Sequence, residues 1–199
     1  MALTGAHASG ATPLDEEDLE GLKDPFCTTQ GELNAIEQAN IIVGQEWALA
    51  TPMARLPGML TDDFSCRLHA EMFGNVWTWA GDHRKRMVNI GPPPYEVPMA
   101  LHEAFADASY WIEHGTYPPQ EIAVRLHHRL VSVHPFRNGN GRQTRMFADI
   151  LLIRHFKEPR LTWGGGELGY ADPRRADYIA ALGAADYHDY APLLQFARS

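Results

Sequence analysis

Apolar residues recur at intervals of three and four along most of the chain, which predicts a protein built mainly from α-helices. The clearest helix is expected from about Glu32 to Ala50, because Thr29 and Glu32 have the spacing of a capping box. Its inward face is predicted to be the stripe Leu33, Ile36, Asn40, Val43 and Trp47. Further helices are expected over about residues 15–22, 61–73, 98–114, 119–133, 140–156 and 173–185, with a short last one near residues 193–194.

Residues 77–98 interrupt this helical pattern. They contain two short extended segments separated by glycine and by three consecutive prolines at positions 92–94, which predicts a short β-hairpin or an irregular loop. Proline lacks the N–H group that a central strand needs, so this segment is expected at a surface edge. Residues 87–97 of this segment are called the flap below. The predicted architecture is therefore a mainly α bundle with one short β-hairpin flap.

Length and composition narrow the class of protein. A chain of 199 residues can form one domain with a proper core, without disulfides or metals. We expect residues 1–28 to form an N-terminal arm with a short helix, and residues 29–199 to form the main domain. The net charge of −8 argues against direct nucleic-acid binding and against binding to anionic membranes.

The two cysteines and the N-terminal sequence bear on the compartment. Cys27 and Cys66 are too few and too far apart for a cysteine-based zinc motif or a disulfide framework. No apolar run has the length of a membrane span, and residues 1–10 lack the charged and apolar regions of a signal peptide. A reduced, cytoplasmic setting is expected.

Unusual chemistry is concentrated in the segment from His134 to Arg145. Gly139, Asn140 and Gly141 form a turn that leads into a predicted helix, whose first N–H groups favour anions. Arg142 and Arg145 lie three residues apart and would project from nearly the same side. The pattern predicts a phosphate-binding turn preceded by a histidine. A simple glycine-rich turn, with Arg145 paired to Asp149, is the alternative.

This segment resembles the signature of the Fic (Fic/Doc) family, His-Pro-Phe-x-(Asp/Glu)-Gly-Asn-Gly-Arg-x-x-Arg, and departs from it at Asn138. The resemblance extends over roughly residues 30–195 and includes Trp79-Ala80-Gly81 and the flap. It is closest to the small bacterial proteins called mobile mystery protein B.

The resemblance implies a protein adenylyltransferase, which transfers AMP from ATP to a Ser, Thr or Tyr hydroxyl of a target protein or of itself. His134 would be the general base, and Phe136 would hold the loop in the core. Gly139, Asn140 and Gly141 would bind the α- and β-phosphates through N–H groups and the Asn140 side-chain amide. Arg142 and Arg145 would neutralise the β- and γ-phosphates. The flap would dock the target by strand addition through Met87, Val88, Asn89, Ile90, Gly91 and Tyr95.

Two further positions bear on metal binding and regulation. Asn138 stands where the family has an acidic magnesium ligand, so a neutral amide oxygen would have to bind Mg²⁺. Residues 33–38 resemble the inhibitory motif of many Fic proteins, with Leu33 and Gln38 as departures. Glu37 would pair with Arg145, occupy the γ-phosphate position and inhibit the enzyme. A glutamate at the edge of the apolar face with a solvated tip is the alternative.

Several functional alternatives stay open. The chain could be a regulatory or toxin–antitoxin-type protein that binds nucleotide or a partner without turnover. It could also transfer another phosphate-linked group, or remove AMP. The resemblance further implies a small helix-turn-helix protein as partner.

Overall fold

The computed structural model describes residues 14–165 and 174–199, and these residues are mainly helical. The arm expected over residues 1–13 and the helix start expected at Pro173 lie outside the described residues. The helices are α1 (Glu16–Glu20), α2 (Gln30–Ala50), α3 (Asp62–Phe73), α4 (Val97–His114), α5 (Pro119–Val133), α6 (Asn140–Leu151), α7 (Arg174–Asp186) and α8 (Ala191–Arg198). A 3₁₀-helix (Pro94–Glu96) precedes α4, and a π-helix (Leu152–Phe156) continues α6. The predicted mainly α fold is confirmed.

The buried face of α2 differs from the predicted one. Thr29 caps the helix as expected, since its side chain accepts a hydrogen bond from the Glu32 N–H. However, Val43 is 48% exposed, so its prediction as an inward residue is wrong. Helix α3 approaches α2 at Gly44, where a Cβ atom would lie 2.8 Å from the Met72 backbone. This close approach selects the face that carries Leu33, Glu37, Asn40, Ile41, Gly44 and Ala48.

Helices α5 and α6 form a pair between two apolar clusters. The larger cluster joins α2, α3 and α4 to one side of the pair, through residues such as Leu126 and Phe147. The smaller cluster joins α7, α8 and Trp163 to the other side, through Ala123 and Ala148. The turn between α5 and α6 is therefore held from both sides, and it contains the segment from His134 to Gly139.

The flap has no hairpin. Among residues 14–165 and 174–199 there is no β-strand, only the isolated bridges Leu22–Trp77 and His83–Phe136. Residues 87–93 are bends and irregular backbone, followed directly by the 3₁₀-helix. The expected β-hairpin is thus replaced by a loop. Prolines 92–94 account for part of this, since they cannot donate to a strand ladder.

The helices of residues 14–165 and 174–199 are too short or too polar to cross a bilayer. Within the described ranges, none combines the length and the apolar composition that a membrane-spanning helix requires.

We expect Phe147→Ala to lower the free energy of unfolding by about 3–5 kcal/mol, because a fully buried aromatic side chain leaves a cavity. The ring packs against Phe64 at 5.3 Å and Phe105 at 5.6 Å between centroids. Val43→Ala is the control and should change stability by less than about 0.5 kcal/mol. Urea unfolding measures both, and equal losses would contradict this assignment of the core.

Candidate active site

His134 lies at the C-terminal end of α5, at the point where the chain turns toward α6. Its backbone adopts a left-handed conformation, with φ of 53° and ψ of 58°, and its N–H group donates to the Leu130 carbonyl at 3.2 Å. The left-handed residue ends the helix and turns the chain, as residues at helix C-termini commonly do. The imidazole is therefore fixed in position by the helix end itself.

The protonation state of His134 suits a base. Burial lowers the pKa of His134 to about 4, so the ring is neutral near pH 7. The Nδ1 atom lies 3.2 Å from the Val131 carbonyl oxygen, which can only accept a hydrogen bond. The neutral ring therefore carries its proton on Nδ1 and its lone pair on Nε2. Nε2 is the nitrogen that can take a proton from a substrate.

Arg84 connects the flap to the motif. Its guanidinium is buried and its Nε donates to the His134 carbonyl at 2.7 Å. The other nitrogens donate to the carbonyls of Arg86 and Pro92, on the two sides of the bend in the flap. The Arg84 N–H also donates to the Pro135 carbonyl at 2.8 Å. One side chain thus fixes the flap backbone relative to the histidine.

Asn140 closes the motif loop on itself. Its side-chain oxygen accepts from the Phe136 N–H at 2.9 Å, and its side-chain nitrogen donates to the Phe136 carbonyl at 2.9 Å. The Asn140 side chain was predicted to bind phosphate, but these two hydrogen bonds give it a structural role. A role for its backbone N–H in phosphate binding stays a prediction, as do those of Gly139 and Gly141.

Gly139 is the residue that allows this loop to pass close to α3. It has φ of 78°, and a Cβ atom there would lie 2.7 Å from the Phe73 ring. Helix α6 begins immediately afterwards without a side-chain cap. The N–H groups of the first helical turn have no partner within the helix, so they form a site for an anion.

His69 of α3 packs against the motif loop and holds it through a hydrogen bond. The ring is fully buried, stacks on Phe136 with 3.9 Å between centroids, and accepts from the Gly81 N–H through Nδ1 at 2.9 Å. Its Nε2 therefore carries the proton and donates to the Asn138 carbonyl at 3.0 Å. Burial lowers the pKa of His69 to about 3, in agreement with a neutral ring.

Glu37 reaches the motif from α2, as predicted, but it pairs with a different arginine. Its Oε2 lies 2.6 Å from Arg142 NH1, and its Oε1 accepts from the Trp77 indole N–H at 2.7 Å. The predicted pairing with Arg145 is wrong. Glu37 is 4% exposed, so it belongs to the centre of the buried helix face rather than to its edge. Both carboxylate oxygens have partners, as a buried charge requires.

Arg145 lies on the other side of α6. Its guanidinium carbon is 5.3 Å from the centre of the Tyr178 ring. Asp149, the alternative partner from the sequence, instead accepts hydrogen bonds from the Leu161 N–H at 3.1 Å and the Trp163 indole at 3.0 Å. The two motif arginines therefore have different surroundings: Arg142 has an acidic partner and Arg145 an aromatic one. Arg142 also packs over the Phe73 ring at 4.8 Å.

Asn138 is placed poorly for Mg²⁺. Its side-chain oxygen accepts from the Gly139 N–H at 2.6 Å and lies 3.3 Å from Arg142 NH2. Magnesium is usually held by charged carboxylate oxygens together with substrate phosphates. Here the expected ligand is a neutral oxygen beside a guanidinium. The residues as placed do not fit a magnesium site, and no step of the mechanism is assigned to a metal.

The flap exposes apolar side chains next to the motif. Met87, Ile90 and Tyr95 are all exposed, Tyr95 at 81%. Gly91 has φ of 98°, and a Cβ atom there would meet the Val133 carbonyl at 2.5 Å, so the flap backbone passes close to the end of α5. The structure thus brings Gly91 of the flap beside His134 without a strand edge already formed.

Helix α1 places acidic residues against the same region. Asp18 is fully buried and pairs with Arg86 of the segment before the flap and with Arg137 of the motif, the latter at 3.6 Å. Glu17 also lies 3.3 Å from Arg137. The N-terminal helix therefore packs on the domain rather than extending from it.

The sequence missed the residues that support the site. No sequence pattern singled out Arg84, His69 or Trp77 as a support of the motif. One signal was available: His69 lies among the apolar residues of α3 that recur at helical spacing, which indicates that the histidine itself is buried and hydrogen-bonded.

We expect acid to destabilise the protein partly through His69. Because the folded pKa of about 3 lies below the ordinary value of 6.5, the unfolded chain binds the proton first between these values. The free energy of unfolding should therefore fall as the pH decreases from 6.5 toward 3, by about 1.4 kcal/mol per pH unit for this one group. His69→Gln should remove that slope while keeping a donor for the Asn138 carbonyl.

Urea unfolding at several pH values below neutral measures this slope. The exposed His114→Gln variant is the control and should keep the wild-type slope. An unchanged slope in His69→Gln would contradict the assignment.

Comparisons with known proteins agree with this geometry. Residues 59–152, which include Arg84 and the whole His134–Arg145 segment, match the model of the Fic/DOC family. Protein adenylyltransferase fic-1 of Caenorhabditis elegans is 27% identical over 170 residues, covering 81% of this chain and 32% of the relative. A uridine 5′-monophosphate transferase of Xanthomonas campestris is 38% identical over 73 residues, covering 33% of this chain and 14% of the relative. The chain thus spans about a third or less of these curated relatives.

A solved structure shows the same fold over a larger share. The BepC protein of Bartonella tribocorum, determined with bound AMPPNP, has a TM-score of 0.63 at 18% identity and covers 96% of this chain and 92% of that chain. Similarity to the mobile mystery protein B group stays a prediction. The family match thus identifies a Fic/DOC family domain at residues 59–152, and the solved structure shares the fold.

Proposed function

We propose that this protein is a Fic-type adenylyltransferase that transfers AMP from ATP to a hydroxyl group of a protein. The observation that carries the proposal is the juxtaposition of a neutral, fixed His134 with the open N-terminus of α6. The names of the relatives and the bound AMPPNP of BepC support ATP as the substrate.

In the proposed reaction, the hydroxyl oxygen of the target attacks the α-phosphorus of ATP. The bond between that oxygen and phosphorus forms, the bond to the pyrophosphate oxygen breaks, and pyrophosphate leaves. His134 Nε2 takes the hydroxyl proton, since its proton is already held on Nδ1 by the Val131 carbonyl. Desolvation keeps the ring neutral, and therefore ready to accept a proton, well below pH 7.

The chain supplies mostly positioning and positive charge for this reaction. The first N–H groups of α6 can bind an anion, and Gly139 and Gly141 leave the backbone accessible. Arg145 lies beside Gly141 and Tyr178, and Arg142 lies beside Glu37 of α2. Planar guanidinium groups suit the oxygens of the β- and γ-phosphates.

We propose that the flap receives the target segment. Its exposed Met87, Ile90 and Tyr95 offer apolar contacts, and Arg84 donates hydrogen bonds both to its Pro92 carbonyl and to the His134 carbonyl. An added strand would gain main-chain hydrogen bonds there. Modification of the protein itself and the helix-turn-helix partner stay predictions.

We further propose that the described conformation is inhibited. Arg142 is already neutralised by Glu37, so it cannot bind a phosphate in this state without losing that partner. A carboxylate at this position also repels the γ-phosphate. Activation would require α2 to release Glu37 from Arg142. The inhibition would act through the first motif arginine, not through the second.

A nucleotide-binding regulator without turnover is the second candidate. Asn138 and the Glu37–Arg142 ion pair both favour it, because they lower the capacity for metal and phosphate binding. Transfer of UMP has support in the name of the Xanthomonas relative. Removal of AMP uses the same residues, with a water in place of the target hydroxyl.

The decisive assay incubates the protein with ATP labelled at the α- or the γ-phosphate, with and without Mg²⁺, and measures label on protein. We expect α-label in Glu37→Gly at a level about tenfold or more above wild type, since one charge pair of the closed state is lost. His134→Ala should abolish it in either background.

The matched control is Glu46→Gly, an exposed glutamate on the same helix. It carries the same helix-weakening effect of glycine and should leave labelling at the wild-type level. Equal stimulation by Glu46→Gly would mean that the helix, not the ion pair, matters. Label from the γ-phosphate alone would indicate phosphotransfer, and no label in any variant would leave the regulator as the better assignment.

A further inference from the structure

Three side chains with metal-binding atoms meet on the face of α3 beside the motif loop. Asp62 and Cys66 lie one helical turn apart, and His83 comes from the segment just before Arg84. The Cys66 Sγ atom is 3.5 Å from Asp62 Oδ1 and 3.4 Å from His83 Nε2, and the last two atoms are 2.9 Å apart. These residues play no part in the proposed reaction.

The separations match those between the ligands of a zinc ion. Zinc binds nitrogen and oxygen at about 2.0–2.1 Å and sulfur at about 2.3 Å in a tetrahedron, which places the ligand atoms about 3.3–3.5 Å apart. Both distances from Cys66 Sγ fall within or near this range. The His83–Asp62 distance is shorter, because these two groups share a hydrogen bond that a metal would replace.

We propose that Asp62, Cys66 and His83 bind one zinc ion, with water as the fourth ligand. One imidazole nitrogen, one thiolate and one carboxylate suit zinc, whereas magnesium and calcium prefer oxygen ligands alone. The His83 side chain is 22% exposed and the Asp62 side chain 43%, so an ion can enter without unfolding the helix. Binding displaces the thiol proton of Cys66 to solvent.

The position of the site gives the metal a structural role. His83 pairs with Phe136 through a β-bridge, and the next residue, Arg84, holds the His134 carbonyl. A zinc ion here would fasten the first turn of α3 to the backbone that supports the motif. It would therefore stabilise the fold beside the active site without contacting the nucleotide.

The site escaped the sequence pattern for a physical reason. A cysteine-based zinc motif shows paired cysteines, and this chain has only two in total. Here the two helical ligands are four residues apart, while the third lies 17 residues further along. The third ligand reaches the first two only because the segment after α3 folds back on it.

The test uses the whole chain, freed of metal with a chelator and titrated with Co²⁺. We expect one equivalent to bind and to produce the near-ultraviolet charge-transfer absorption of a thiolate on cobalt, and Zn²⁺ should abolish it by displacement. Cys66→Ser should lose this absorption. Cys27→Ser, which removes the other thiol, should keep it.

A second readout is independent of the thiol signal. Zn²⁺ should raise the thermal unfolding midpoint of wild type and of Cys27→Ser, because it binds the folded state. It should not do so in Cys66→Ser, and His83→Gln should bind zinc at least about tenfold more weakly. Circular dichroism of the metal-free variants, compared with wild type, establishes that their fold is intact. If only one of Cys66→Ser and His83→Gln folds, that variant is sufficient for the test. Absence of stoichiometric binding, an absorption that persists in Cys66→Ser, or an unchanged metal affinity in His83→Gln would overturn the proposal.

Discussion

The ion pair between Glu37 and Arg142 is the interaction on which the arrangement of the site depends. It connects the first half of α2 to the first turn of α6, across 105 residues of chain. A carboxylate that is 4% exposed must have partners, and the guanidinium of Arg142 and the indole of Trp77 provide them. Removal of one partner would leave a buried charge, which costs several kcal/mol (about 3–5) in typical proteins.

This pair also explains why α2 presents an unexpected face to the core. Gly44 allows α2 to approach α3 closely, and that contact turns Glu37 inward and Val43 outward. The position of the Glu37–Arg142 pair is therefore set by helix packing, not by a mobile loop. Breaking this pair requires either a movement of α2 or an anion that competes with Glu37 for Arg142.

The motif loop, in contrast, is held in place by contacts of individual side chains rather than by helix packing. Asn140 bonds to both backbone groups of Phe136, His69 stacks on the same ring, and Arg84 holds the His134 carbonyl. Such supports fix donors before a substrate arrives, which is what electrostatic catalysis requires. The buried histidines are neutral for the same reason, because burial lowers their pKa values.

Local signals in the sequence were sufficient for much of this. The capping box at Thr29 and the glycine before α6 determine where those helices begin, and the helix limits agree closely with the predicted ones. The residues of the His134–Arg145 segment also come together as expected, and Arg145 lies beside both Gly141 and Tyr178.

Tertiary packing decided what the sequence did not. Which arginine pairs with Glu37 depends on the position of α2 against α3, and the close contact at Gly44 fixes that position. The flap did not form strands because Arg84 binds the carbonyls of Arg86 and Pro92, and because prolines 92–94 have no N–H group to donate. The supporting roles of Arg84 and His69 depend on contacts of 50 and 69 residues in sequence separation, which no local period reveals.

The most direct measurement compares the affinity of a non-hydrolysable ATP analogue for wild type and for Glu37→Gln. This change keeps the shape of the side chain and an acceptor for Trp77 but removes the charge that neutralises Arg142. If Glu37 competes with a phosphate, the analogue should bind Glu37→Gln about tenfold or more tightly, a gain of about 1.4 kcal/mol, while adenosine affinity stays the same. Equal affinity of the analogue for both proteins would contradict the assignment of Glu37 to the phosphate site.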